Sequence, residues 1–304
     1  MLIAVTGATG FIGRRLCERL VADGHRVRAL ARRADHGLAA AVDVVPGDLN
    51  DEGALARLVA GEDGVADAVV HLAGSVRGVD RAAFDAVNVS GTRHLLAALA
   101  GAPDAHLVHV STLAAREPAL SDYAGSKRAA EDLVAAAPLA ARTILRPTAV
   151  YGPGDVELQP LLDGMASGLA TVPGSRDNRV TLIHVDDLVA AITAALAHPG
   201  LHPTPYELCD AEAGGYDWAT FATAVEAHTG RPVRLLTVPR AVLTTVGTVN
   251  RALARLTGRA PMLTPGKVRE LTHPDWSCDS APFIDAFEWR PAIDLSAGLA
   301  TVLK

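Results

Sequence analysis

The 304 residues are 49% hydrophobic and 20% charged, enough apolar material for one large domain or for a core with a smaller lobe. A net charge of -6 leaves no basic footprint for nucleic acid, and the three cysteines, Cys17, Cys209 and Cys278, form neither a disulfide framework nor a zinc pattern. The N-terminal apolar run is too short for a signal peptide, no stretch has membrane-spanning length and the eleven histidines show no metal-ligand spacing, so the expectation is a cytoplasmic, metal-free chain.

Leu2-Ile3-Ala4-Val5 is a short continuous apolar run, the pattern of a strand buried on both faces. Phe11 to Ala22 carries Ile12, Leu16 and Leu20 at helical spacing and stops at Gly24. His25 to Leu30 reads as a second strand, which closes a βαβ unit. The alternation continues with strands at 42–45, 68–72, 107–110 and 143–145 and helices at 52–60, 84–99 and 123–137. It predicts an α/β fold, a doubly wound parallel Rossmann sheet over residues 1–150.

The rhythm changes at Tyr151-Gly152-Pro153-Gly154-Asp155, a turn-rich stretch. Residues 151–304 are expected to form a smaller substrate-binding lobe, with strands near 180–210 returning to the Rossmann sheet. Asp186 or Asp187 is expected to cap the helix that follows. Pro239 to Leu256 reads as a helix with Val242, Val246, Val249, Leu253 and Leu256 along one side. The leading expectation is that this side packs on the body; a hydrophobic lid or a membrane-surface contact is the other reading. Trp276 and the pair Phe287 and Trp289 either line a pocket or belong to the core.

The turn after the first strand carries Gly7, Gly10 and Gly13, with Thr9, Phe11 and Ile12 between and beside them. The first glycine permits a tight turn, the second lets a pyrophosphate approach the backbone, and the third lets helix and strand pack closely. A helix N-terminus at this point turns free N–H groups and a positive dipole toward phosphates. In many NAD sites an acidic residue ends the second strand and binds the ribose 2′-hydroxyl. Here Ala31 stands at that position and Arg32 and Arg33 follow, cations suited to a 2′-phosphate. The expected cofactor is therefore NADP rather than NAD.

With its complete Thr-Gly-x-x-Gly-x-x-Gly pattern at residues 6–13, the chain resembles the extended short-chain dehydrogenase/reductase family, which includes epimerases, dehydratases and reductases. The resemblance runs in order through most of residues 1–190. It implies that Asp48 and Leu49 contact adenine and that Leu72, Ala73 and Gly74 pass close to the cofactor. It also implies that Asn88 supports the active site and that Pro147 and Thr148 pass the nicotinamide amide.

Tyr123-Ala124-Gly125-Ser126-Lys127 sets a phenol and an ammonium four residues apart, on one face of a helix. An adjacent ammonium lowers a phenol pKa from about 10, so Tyr123 can exchange a proton with a carbonyl or alcohol oxygen while hydride moves. The resemblance implies that Lys127 also holds the nicotinamide ribose. It further implies a hydroxyl on the substrate oxygen at the end of the fifth strand: Thr112, with Ser111 as the alternative. The expected activity is an NADP(H)-dependent oxidoreductase acting on a small organic carbonyl or alcohol. A nucleotide-sugar epimerase with tightly held NAD is the second reading. A dinucleotide-binding sensor or scaffold without chemistry is the third. A homodimer is what the resemblance implies for assembly.

Overall fold

The computed structural model describes residues 1–33, 37–257 and 261–303. Its first half alternates as the apolar periods require. β1 (Leu2–Thr6), β2 (Arg26–Ala31), β3 (Val42–Pro46), β4 (Ala68–His71), β5 (His106–Val110) and β6 (Ala141–Pro147) are parallel neighbours, and β7 (Tyr206–Leu208) pairs with β6. The seven-stranded order is β3-β2-β1-β4-β5-β6-β7. The winding reverses between β1 and β4, so a crevice opens beyond the carboxyl ends of these strands, where such sheets bind ligands.

Both faces of the sheet are covered, which is why β1, β4 and β5 are buried along their whole length. Ile3 and Val5 of β1 pack with Leu16, Cys17 and Leu20 of α1 (Phe11–Ala22) in one core. Ala4 points the other way, into a core with Leu55 and Leu58 of α2 (Glu52–Val59). Between β4 and β5 the chain forms α3 (Arg81–Asp85), a π-helical turn at Ala86–Ser90 and α4 (Gly91–Leu99). The helix α5 (Asp122–Ala136) follows β5 and adds Val134 to the second core. Each fully buried aliphatic side chain contributes about 1.5–3 kcal/mol.

Arg28, on β2, is buried in this second layer. Its Nη1 donates to the carbonyls of Arg57, Leu58 and Gly64 at 3.3, 3.2 and 3.2 Å, and its Nε lies 3.5 Å from Asp43. The guanidinium thus satisfies carbonyls left open at the end of α2 and favours the negative pole there.

After β6 the chain leaves the sheet through the short strand Ala149–Tyr151 and α6 (Gln159–Ala166). Of the 180–210 stretch, Tyr206–Leu208 lies in the main sheet, whereas Leu182–His184 pairs with Ala149–Tyr151 apart from it. The helix α7 (Val185–Ala197) is capped by the His184 side chain and not by Asp186 or Asp187. Asp187 is buried and accepts from the amides of Ala292 and Ile293 at 3.0 and 2.9 Å. The parallel pair Leu169–Pro173 and Arg234–Val238 joins α8 (Trp218–Thr229) around a third core that includes Met165, Val172 and Phe221.

The remaining helices are α9 (Arg240–Thr257), α10 (Pro265–Leu271), α11 (Ala281–Phe287) and α12 (Leu295–Val302). In α9 the small Gly247 and Ala254 are the buried residues, and the stripe from Val242 to Leu256 faces outward, opposite to the packing read from its periodicity. Phe287 and Trp289 are core aromatics packed on Phe283. Trp276 instead packs beside Leu113, near the end of β5. Among the described residues no helix is long and apolar enough to cross a membrane.

Candidate active site

The glycine turn is built from close approaches that exclude any side chain. Gly7 has φ +73°, and a Cβ there would meet the backbone nitrogen of Ala73 at 2.6 Å. A Cβ on Gly13 would lie 2.2 Å from the Gly7 carbonyl oxygen. Gly10 enters α1 in an extended conformation, without a side-chain cap and with no acid in the first turn. The leading N–H groups of α1 are therefore open to an anion, and Thr9 and Gly10 are exposed beside them.

On the β2 side, Arg32, Gly47, Asp48 and Asn50 line an open cleft of about 680 Å³. Ala31, where an acid would bind a ribose 2′-hydroxyl, is buried, and Arg32 is exposed at the rim. Asp48 accepts from the Asn50 amide at 2.8 Å, and Asp51 is spent capping α2 through the Ala54 amide at 2.8 Å. Leu49 is buried under Gly91 and belongs to the second core.

The third group lies at the ends of β4 and β5. Lys127 is buried, with Nζ donating to the Val110 carbonyl at 2.9 Å. Burial draws its pKa down to about 8, partly offset by Glu131 one turn later. Tyr123 sits on the same face of α5, with its ring 6.0 Å from Phe84. Burial raises its pKa, and a hydrogen bond with the Thr112 hydroxyl pulls the other way. In the chain alone Lys127 is turned to Val110, and the balance on the phenol lies on the protonated side. Ser111, the alternative to Thr112, has a buried hydroxyl with no partner among the described residues.

Asn88 falls in the π-helical turn and joins these parts. Its Oδ1 accepts from the Ser75 amide at 2.7 Å, and its Nδ2 donates to the Ser75 carbonyl at 3.1 Å and to the Ser126 hydroxyl at 2.9 Å. Gly74 is exposed beside them, and a Cβ there would lie 3.2 Å from Asn88 Oδ1 and 3.8 Å from Lys127 Nζ. Leu72 and Ala73 precede it, with the Ala73 amide donating to Thr6 at 3.3 Å. Pro147 ends β6, and the Thr148 hydroxyl donates to the Thr181 carbonyl at 2.6 Å, tying the sheet edge to the lobe.

Reading the sequence missed several neighbours of this cluster. His71 bonds Thr6 at 2.6 Å and Thr92 at 3.0 Å, and burial lowers its pKa to about 3. His109 lies 5.2 Å away, ring to ring, and burial holds it neutral as well. Glu131 and Arg146 form a buried two-pronged pair at 2.9 and 2.6 Å. Glu270 comes from the lobe to bond the Ser121 hydroxyl, next to the start of α5. The spacing of Glu131 from Lys127 was a visible signal; no local pattern marks Glu270.

Residues 3–209 match the model of the NAD dependent epimerase/dehydratase family. The chain belongs to this family. Membership makes it an NAD(P)-dependent enzyme of the extended short-chain dehydrogenase/reductase type, with a nicotinamide cofactor and a small-molecule substrate. This family member is 40% identical to the ceramide reductase of Caulobacter vibrioides over 287 residues, covering 93% of this chain and 88% of that protein. It is 35% identical to the 2-alkyl-3-oxoalkanoate reductase of Stenotrophomonas maltophilia over 228 residues, 67% of each. In fold it matches the UDP-glucose 4-epimerase of Thermotoga maritima with a TM-score of 0.76 at 19% identity, over 99% of this chain and 97% of that one.

Proposed function

We propose that this chain is an NADP(H)-dependent ketoreductase in which Tyr123 exchanges a proton with the substrate oxygen. The observation that carries the reading is the convergence of the Tyr123 phenol, the Thr112 hydroxyl and the Lys127 ammonium beside the exposed Gly74. When bound, the nicotinamide supplies the hydride. The rest is the work of the chain. The glycine turn and the open N-terminus of α1 hold the pyrophosphate, with Thr9, Phe11 and Ile12 around it. Pro147 and Thr148 bound the nicotinamide end.

Burial keeps Tyr123 protonated, and so able to donate as the carbonyl oxygen gains charge. The Thr112 hydroxyl, which stands beside the phenol, turns to donate its proton to the same substrate oxygen. Lys127, with its pKa near 8, carries its charge at neutral pH. It holds the ribose and stabilises the phenolate left behind. Arg32 at the cleft rim, with Ala31 where an acid would stand, supports NADP over NAD.

Two relatives carry names of reductases for molecules with alkyl chains, which supports a carbonyl borne on a lipid-like substrate. The test is NADPH oxidation with long-chain 3-oxo amides and 3-oxo esters beside short-chain ketones. Turnover of the long-chain compounds is expected, and Tyr123→Phe is expected to lower kcat by about 10²–10⁴ while NADPH still binds. A wild-type chain that binds NADPH but reduces none of these carbonyls would overturn the reading.

A further inference from the structure

The helix α9 is unusual in what it leaves uncovered. Val242, Val246, Val249, Leu253 and Leu256 recur at intervals of four and three residues, so they form one line along the helix. Their exposures are 51, 45, 54, 53 and 83%. Scattered surface apolar side chains are ordinary, but a continuous line of five is not. The inner side of α9 rests on the following segment: a Cβ on Gly247 would lie 3.0 Å from Thr264, and Asn250 donates to the Leu263 carbonyl at 3.4 Å.

The charge around this helix is equally one-sided. Residues 227–269 contain seven arginines, one lysine and no aspartate or glutamate, within a chain whose net charge is -6. Lys267 is paired with Glu270 at 3.1 Å and Arg251 with Asp122 at 3.6 Å, which leaves Arg231, Arg234, Arg240, Arg255 and Arg269 exposed and without a carboxylate partner among the described residues. Within α9 itself the arginines project away from the apolar line, which gives the helix an apolar side and a cationic side. That division is the one by which helices lie in the headgroup region of an anionic bilayer. A protein partner that only covered the apolar line would leave this cationic surround unexplained.

The location matters for the site. Arg251 Nη2 lies 3.6 Å from the carboxylate of Asp122, the residue before Tyr123, and Arg269 of α10 donates to the Leu120 carbonyl at 2.6 Å. The helix pair α9–α10 is therefore seated against the start of the helix that carries Tyr123.

We infer that α9 is a membrane-surface docking helix: its valine–leucine line enters the headgroup boundary of a bilayer rich in anionic phospholipid, and the surrounding cations hold it there. The docked chain would keep the start of α5 close to the lipid surface. This inference is separate from the reductase reading, because vesicle binding is measured without turnover.

The test uses the full chain and sedimentation with two kinds of vesicle, pure phosphatidylcholine and phosphatidylcholine mixed with phosphatidylglycerol. The wild type is expected to sediment with the phosphatidylglycerol vesicles, less so as salt is raised, and weakly with pure phosphatidylcholine. The double variant Val249→Asp, Leu253→Asp changes only exposed positions. It should keep its thermal melt and lose at least about tenfold in vesicle partitioning. Arg240→Glu with Arg255→Glu should weaken binding to the anionic vesicles alone. The inference fails if the wild type stays in the supernatant with both vesicles, or if the Val249→Asp, Leu253→Asp variant binds as the wild type does. It fails too if the wild type is a dimer that this variant converts to monomer, since a second copy would then cover the line.

Discussion

The Asn88 side-chain amide donates to the Ser126 hydroxyl at 2.9 Å, and that hydroxyl donates to the Tyr123 carbonyl at 2.7 Å. Asn88 also fixes Ser75 through both of its backbone groups. One side chain thus ties the loop after β4 to the helix bearing Tyr123 and Lys127. Removing it leaves buried partners unsatisfied, at about 1–3 kcal/mol each. We expect Asn88→Ala to melt earlier and to lose roughly tenfold or more in kcat, with a smaller change in the KM for NADPH. Steady-state kinetics beside thermal melts decide the matter. A folded variant with full kcat would remove Asn88 from the positioning of the site.

Arg32 stands exposed at the cleft shared with Asp48, and the neighbouring Ala31 offers no carboxylate to a ribose hydroxyl. Hydrogen bonds from a guanidinium to phosphate contribute about 1.5–3 kcal/mol. The expected result for Arg32→Ala is a rise of about tenfold or more in the KM for NADPH, with NADH kinetics little changed. Isothermal titration with both cofactors checks the same point without turnover. A wild-type chain that prefers NADH would reject the assignment of NADP.

What was legible in the sequence is what short-range pattern controls. The βαβ start, the glycine turn and the Tyr123–Lys127 spacing are all set within a few residues of chain. The interruption of the helix at Ala86–Ser90 was hidden, because one extra residue in a turn barely disturbs an apolar period. The outward face of α9 was hidden for a different reason. Periodicity shows that a helix has two sides, and only tertiary packing shows that Gly247 and Ala254 mark the inner one. Glu270 reaches Ser121 across 149 residues, beyond any local signal.

Gly13 shows how tightly the cofactor turn is drawn. A methyl group there would meet the Gly7 carbonyl oxygen at 2.2 Å and Ala8 Cα at 2.7 Å, both backbone atoms that cannot swing aside. The turn must open for Gly13→Ala to fit. Overpacking of this kind costs about 1–3 kcal/mol or more. The variant is expected to melt several degrees lower and to bind NADPH at least about tenfold more weakly. Ala in place of Gly13 with unchanged NADPH affinity would mean that the turn does not hold the pyrophosphate.

Acid should unfold this protein earlier than its surface carboxylates require. Burial lowers His71 to about 3 and His106 to about 4, from 6.5, and holds His109 well below its ordinary value. Between those values and 6.5 the unfolded chain binds more protons than the folded one, so stability is complete above about pH 6.5 and is lost as pH falls through that window. At pH 5 the loss is about 2 kcal/mol for each of His71 and His106, and His109 acts in the same direction. Asp210, whose carboxyl burial raises to about 6, acts in the opposite direction by about 1 kcal/mol, because its folded form then holds the extra proton. The balance still favours acid lability. Urea melts from pH 7 to pH 5 should show the midpoint falling, and His106→Gln, which replaces a ring bonded to Thr143 at 3.0 Å, should lessen the slope by one histidine's share. A midpoint that stays level over this range, in both proteins, would mean that these rings are protonated as readily in the folded chain as in water.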